Sequence, residues 1–109
     1  TKQGVAFQIA DLQVMVSAAR ALTYQAAWLK DSGSSMQEFK QAASVAKLYS
    51  SEAAVTATRI ATQVAGGYGF MEENPMARFY RDAKILEIGE GTSEVQRMLI
   101  ARGLGLPVE

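Results

Sequence analysis

Two stretches of about thirty residues, parted by five small polar ones, constrain this chain more than any other feature. In the first, from about Val5 to Lys30, Leu12, Met15, Val16, Ala19, Leu22, Ala26 and Leu29 recur every three or four positions. That spacing is the stripe of an amphipathic helix. Asp31-Ser32-Gly33-Ser34-Ser35 then stops it with small turn formers and a glycine able to take a left-handed cap. The second stretch runs from Met36 to about Ala65, with Phe39, Ala42, Ala43, Ala46, Tyr49, Ala53, Val55, Ala57, Ile60, Ala61 and Val64 in helical register. Ser35 followed by Glu38 fits a capping box at its start. Thirty helical residues reach ~45 Å, and two such rods joined by a short turn form an antiparallel hairpin. Eighteen alanines, concentrated in these stretches, favour the helix and let the axes approach closely.

The rest of the chain reads as shorter pieces. Gly66-Gly67-Tyr68-Gly69 is a helix stop, because three glycines in four positions suit no helix interior. Asn74-Pro75 opens a short helix to Lys84, whose Arg78, Arg81, Asp82 and Lys84 form a solvated face with local pairing. Ile85-Leu86-Glu87-Ile88 is expected to be partly buried, and Gly89-Glu90-Gly91 breaks the chain again. Thr92 or Ser93 caps a last helix to about Arg102, with Val95, Leu99 and Ile100 turned inward. Tyr24, Trp28 and Tyr49 are expected between helices, and Gly103 to Glu109 reads as a frayed tail. No segment reads as a strand. The fold class is all-α, an up-and-down helical bundle. Its substantial helices are one fewer than a four-helix bundle needs, so a first bundle helix is expected ahead of Thr1.

Composition removes several chemistries. With no His and no Cys there is no Ser-His-Asp triad, no cysteine nucleophile, no disulfide and no zinc site of the usual kind. Eleven basic residues balance eleven acidic ones, which argues against nucleic-acid binding. No unbroken apolar run approaches the ~18 residues of a membrane span, and the N-terminus shows no signal-peptide pattern.

Two places remain where chemistry could reside. Glu90 stands between glycines just before a helix cap, on a short anchored loop where flanking glycines permit close approach of a large group. A carboxylate desolvated there can serve as a general base, whereas a polar turn residue is the plainer reading. The Gly91-Thr92-Ser93-Glu94 run opens a helix whose free amides suit a phosphate or pyrophosphate, or are merely capped. Gly66-Gly67-Tyr68-Gly69 lacks dinucleotide-fingerprint spacing and follows a helix rather than a strand.

These features occur in a recognisable order. Gln63-Val-Ala-Gly-Gly-Tyr-Gly-Phe70 is followed by Asn74-Pro75, by Arg81-Asp82-Ala83-Lys84-Ile85, by Ile88-Gly-Glu-Gly-Thr-Ser-Glu-Val-Gln-Arg97 and by Ile100-Ala101-Arg102. Together with Gln3, Ala10-Asp11, Ala18-Ala19-Arg20 and Tyr24-Gln-Ala-Ala-Trp-Leu-Lys-Asp31, this closely resembles the C-terminal domain of the acyl-CoA dehydrogenase family of flavoproteins. The resemblance covers residues 1–104, leaving 105–109 as a tail. It implies α,β-dehydrogenation of an acyl-CoA thioester to the trans-2-enoyl-CoA, with FAD as hydride acceptor. It also implies that Glu90 is the base for the α proton and that Gly89 and Gly91 lie against the substrate. Gln63, Val64, Ala65, Gly66 and Gly67 match the cofactor-contacting stretch, as do Thr92, Ser93 and Glu94. Gln3 matches a glutamine near the cofactor of a neighbouring subunit.

The resemblance further implies a homotetramer and an electron-transfer flavoprotein as acceptor. It places the protein in the cytoplasm of a bacterium or in the mitochondrial matrix of a eukaryote. Upstream helical and β domains are expected to help enclose the flavin, so this polypeptide alone should neither hold FAD tightly nor turn over substrate. Three positions depart from the pattern. Gly89 stands where many members have an aromatic residue, Glu94 where some carry Gln, and Lys2 where an aromatic residue or His is more usual. Two other readings remain: an acyl-CoA oxidase-like flavoprotein using the same base, and a non-catalytic helical scaffold for oligomerisation.

Overall fold

The computed structural model describes residues 2–108, and for Lys2 the backbone alone. Thr1, Glu109 and the side chain of Lys2 lie outside the described residues. Helix α1 spans Lys2–Asp31 and α2 spans Met36–Ala65. A single helical turn, α3 (Gly67–Phe70), follows, then α4 (Pro75–Lys84), a 3₁₀ turn at Ile85–Glu87, and α5 (Ser93–Gly103). No strand occurs among the described residues.

Local signals place most boundaries. Ser32 N–H donates to Trp28 O at 2.8 Å, and Ser34 donates through its hydroxyl to Leu29 O at 2.7 Å, which closes α1. Glu38 N–H donates to Ser35 Oγ at 3.1 Å, so the hydroxyl half of the expected capping box forms. Met76 N–H donates to Asn74 Oδ1 at 2.9 Å, and Pro75 occupies the first position of α4, where its missing N–H costs nothing.

Helix α2 is the spine. The other four helices and the 3₁₀ turn all pack on it, and the longest dimension of the molecule, 48 Å, is the length of the hairpin. Alanine makes this possible: among the described residues, Ala26 of α1, Ala46 of α2 and Ala83 of α4 are the apolar side chains that become buried. Small side chains at the crossings bring the axes together, and the larger residues wedge in beside them. The α1 stripe lies as expected, with Leu12, Met15, Leu22 and Leu29 half-buried, but Val16 is exposed. At the far end, Gln41 Nε2 donates to Ile100 O at 3.2 Å and ties the close of α5 to the start of α2.

Several expectations are corrected. Tyr24 and Trp28 lie on the open face of α1, 67 % and 65 % exposed, instead of between helices; only Tyr49 is half-buried. A hairpin two helices thick covers one face of each rod, and these rings fall on the other. The glycine run does more than stop α2, because Gly67–Phe70 coils into a turn of its own. Ile85, Leu86 and Ile88 are exposed while Glu87 is drawn in beside Lys84, since the 3₁₀ turn rotates the polar residue toward the bundle. In α5, Val95 and Leu99 face solvent and Ser93 and Gln96 are buried instead. Within the α4 charge cluster, Lys84 pairs with Glu87 at 2.6 Å, beyond the cluster itself. Gly103 belongs to α5, and Leu106 N–H donates to Ala101 O at 2.9 Å across left-handed Gly105 (φ 82°), a Schellman closure where a frayed tail was expected.

One 18-residue window within Gln3–Asp31 reaches a mean hydropathy of 1.3, so by length and composition alone α1 could cross a membrane. Counting unbroken apolar runs missed this, because Gln8, Asp11, Gln13 and Arg20 break every run while the many alanines and aliphatic residues keep the mean high. Asp11 and Arg20 within α1, and its packing along α2, suit a bundle helix better.

Gly69 supports the α2–α3 corner by closeness: a Cβ there would lie 2.5 Å from Thr62 O and 3.1 Å from Ala65 Cβ. Gly69→Ala is expected to destabilise the domain by about 1–3 kcal/mol, read as a lower denaturant midpoint at unchanged m-value. An unchanged midpoint would show that this corner is free to relax.

Candidate active-site loop and cofactor cradle

The loop after the 3₁₀ turn is built backbone first. Ile85 O accepts from both Ile88 N–H (3.1 Å) and Gly89 N–H (2.7 Å), which turns the chain out of the helix. Gly89 is tight here, since a Cβ would come within 3.2 Å of the same carbonyl. Glu90 then adopts φ 55°, the only non-glycine with positive φ among the described residues. That backbone costs an L-residue about 1–2 kcal/mol, so a packed environment must hold it. Gly91 follows at φ 100°, and a Cβ on it would meet the Gln96 amide nitrogen at 2.7 Å. Gln96 is buried under the loop, filling the space that a larger residue at 91 would need.

A cation holds the loop from beneath. Lys47, on α2, donates from Nζ to Leu86 O at 2.8 Å and to Gly91 O at 2.7 Å. Sequence reasoning missed this residue. The available signal was a lone Lys beside Ala46, in the most apolar stretch of α2, where a solvated surface cation is out of place. A second tie joins α5 to α2, where Arg97 Nη2 meets both Glu52 carboxylate oxygens at 2.8 Å. Both partners are partly exposed, so this pair contributes ~0.2–1 kcal/mol at most.

The remaining site residues fall into two groups. Thr92 caps α5, with Val95 N–H donating to its Oγ1 at 3.2 Å. Ser93 is only 6 % exposed, and its hydroxyl is buried without a hydrogen-bond partner. Thr92, Ser93 and Glu94 line a cleft of about 360 Å³ with Glu52, Lys84, Glu87 and Ile88. Glu90 is outside that lining and exposed. Within the cleft, the hydrogen bond and charge of Glu87 hold the Lys84 ammonium pKa above its usual value.

Gln63, Val64, Ala65, Gly66 and Gly67 form the C-terminal end of α2 and the corner beyond it. Gln63 and the two glycines are exposed, with open space above Gly66 and Gly67. The antiparallel hairpin returns the start of α1, with exposed Gln3, to this same end. Residues 47 and 63 are sixteen positions apart on α2, about 24 Å at ~1.5 Å per residue. So Gly89–Glu94 gathers near the middle of the spine, and Gln3 with Gln63–Gly67 gathers at its end. The cleft lined by Thr92, Ser93 and Glu94 includes none of Gln63–Gly67.

FAD can be tested against each group. The unpartnered Ser93 hydroxyl beside the free amides of an 11-residue helix fits a polar, hydrogen-bonding part of a cofactor. The uncovered glycine corner fits close approach of a flat or phosphorylated group. The residues present therefore suit such a group, at two separate places.

The left-handed Glu90 backbone can be checked apart from any reaction. Glu90→Asn, which tolerates φ > 0, should hold or raise the unfolding midpoint, and Glu90→Val should lower stability by about 1–2 kcal/mol. Equal stability of the two variants would mean that the loop readily takes another conformation.

Comparison with known proteins gives one answer. Residues 1–105 match the family described as "Acyl-CoA dehydrogenase, C-terminal domain". The chain is 46% identical over 102 residues to "Probable acyl-CoA dehydrogenase YngJ" of Bacillus subtilis, covering 94% of this chain and 26% of that protein. It is 46% identical over 99 residues to the mitochondrial short-chain specific acyl-CoA dehydrogenase of Bos taurus, covering 91% and 23%. Among solved structures, butyryl-CoA dehydrogenase from Megasphaera elsdenii superposes with a TM-score of 0.88 at 44% identity, covering 94% of this chain and 26% of that one. The FAD complex of PigA superposes at 0.89 with 31% identity, covering 95% and 26%. This chain spans about a quarter of the length of the curated relatives it matches. The match over nearly every residue, in sequence and in helix arrangement alike, means that the chain belongs to the acyl-CoA dehydrogenase family, in its C-terminal domain.

Proposed function

We propose that this domain works within an FAD-dependent acyl-CoA dehydrogenase, with Glu90 as the base that removes the α proton of the thioester substrate. The observation that carries this reading is the strained, clamped backbone of Glu90: a left-handed glutamate fixed between two glycines and tied to the spine through Lys47. Strain of this kind persists where the surroundings over-determine it, and such places cluster at functional sites.

The α C–H of a thioester is only weakly acidic. A base must meet it in the right orientation, in a site that excludes water, with the thioester carbonyl polarised. Glu90 is exposed in this chain. Its burial therefore depends on the surfaces that close over the loop when the dehydrogenase is assembled. Gly89 and Gly91, whose missing side chains would meet Ile85 O and Gln96, keep the loop tight on the bundle, and the thioester lies against its backbone. Bound FAD supplies the acceptor for the β hydride, and the product is the trans-2-enoyl-CoA. Thr92, Ser93 and Glu94 would hold and orient the cofactor serving Glu90.

Gln63–Gly67 and Gln3 sit about 24 Å away along α2 and serve a cofactor bound mainly by a neighbouring subunit, which requires an oligomer. A homotetramer, electron transfer to an electron-transfer flavoprotein, and a cytoplasmic or mitochondrial-matrix location complete the reading. The names of the bacterial and mitochondrial relatives support the location.

In the assembled dehydrogenase, Glu90→Gln should keep its bound flavin and lose at least ~10²-fold in the rate of flavin bleaching by acyl-CoA. Anaerobic stopped-flow absorbance reads both quantities. Reduction at the unaltered rate would assign the base elsewhere.

A further inference from the structure

We propose that Lys47 is a positioning residue for the reaction: its ammonium grips the backbone on both sides of Glu90 and thereby sets where the carboxylate points. The proposal rests on the reading of Glu90 as the base. Lys47 Nζ donates to Leu86 O at 2.8 Å, four residues before Glu90, and to Gly91 O at 2.7 Å, one residue after it. One side chain therefore closes the segment 86–91 into a ring anchored on the spine. Among the described residues no carboxylate lies within 4.0 Å of this ammonium, so its charge is directed at the two carbonyls.

Charge-assisted hydrogen bonds of this length are the stronger kind, and two of them from one atom fix direction as well as distance. The platform beneath is rigid. Lys47 lies near the middle of a 30-residue helix, next to buried Ala46, and its own carbonyl accepts from the Ser51 hydroxyl at 2.7 Å. Beside it, Gln96 fills the space against Gly91. Between these two restraints the chain has little choice at residue 90, which accounts for a glutamate held at φ 55°. Lys47 and Glu90 are 43 positions apart in sequence, and only the fold makes Lys47 part of the loop.

A base displaced by ~1 Å loses on the order of 10²-fold in rate while substrate and cofactor still bind. Lys47 is thus expected to act on the proton-abstraction step and to leave binding alone. The test compares wild type, Lys47→Met, Lys47→Arg and Glu90→Gln in the assembled dehydrogenase, with butyryl-CoA as probe. Readouts are flavin content, melting temperature, the dissociation constant for butyryl-CoA, and the reduction rate per bound flavin. Hydrogen exchange over residues 85–92 is followed by mass spectrometry.

Lys47→Met should cut the rate per bound flavin by at least tenfold and speed exchange in that segment. Flavin content should hold, and the dissociation constant should stay within threefold. Lys47→Arg, which can still donate to both carbonyls, should recover to within threefold of wild type. An unchanged rate in Lys47→Met, with Glu90→Gln inert, overturns the role of Lys47 and leaves the base in place. Loss of flavin and melting temperature with a normal rate per remaining flavin overturns it too, since that is ordinary structural support. A Glu90→Gln variant reduced at the wild-type rate removes the base reading and this proposal with it. If Lys47→Met does not fold, Lys47→Gln, too short to span both carbonyls, is read by the same criteria.

Discussion

The packing of small side chains along one 30-residue helix is the constraint from which the rest of this domain follows. Helix α2 receives α1 on one side and α3, α4 and α5 on others, and alanines at the crossings let each come close. The other side chains buried to the same degree are polar: Ser44, Ser51, Ser93 and Gln96. The spine also sets positions along a fixed ruler: whatever attaches near Lys47 is held about 24 Å from whatever sits near Gln63. The two groups of candidate cofactor residues owe their separation to that ruler.

Polar ties do the fine placement. Gln41 to Ile100 O, Lys47 to Leu86 O and Gly91 O, and Glu52 to Arg97 hold α5 and its preceding loop along α2 between Gln41 and Glu52. Two of the three end on backbone carbonyls, so they locate chain direction independently of neighbouring side chains. The glutamate between glycines is the part of the loop that gains most from this. Its backbone is unfavourable in isolation, and it persists because Lys47 and Gln96 together leave no easier path.

The helices were legible in sequence because their signals are local. Apolar spacing, Ser35 as a cap and Asn74-Pro75 mark boundaries through interactions within a few residues. Which face a residue presents was less legible. Tyr24 and Trp28 look like packing residues by type, yet burial depends on what lies opposite, and both stay about two-thirds exposed among the described residues. Ser93 and Gln96 look like surface residues by type and are buried, because the loop folds over them. The motif around Glu90 could be placed by its order among other motifs. Its left-handed backbone could not, since glycines advertise positive φ and glutamate does not. Lys47 was invisible for a different reason: its partners are carbonyls, which carry no side-chain identity to pair with in a sequence.

The proposed reaction begins with one carboxylate meeting one carbon. A crystal structure of the assembled dehydrogenase with FAD and a non-oxidisable acyl-CoA analogue measures that meeting directly. The predicted result is a Glu90 carboxylate oxygen ~3–3.5 Å from the analogue's α carbon, on a loop whose Leu86 and Gly91 carbonyls both still receive Lys47. A Glu90 side chain turned out to solvent, with another group facing the α carbon, would contradict it.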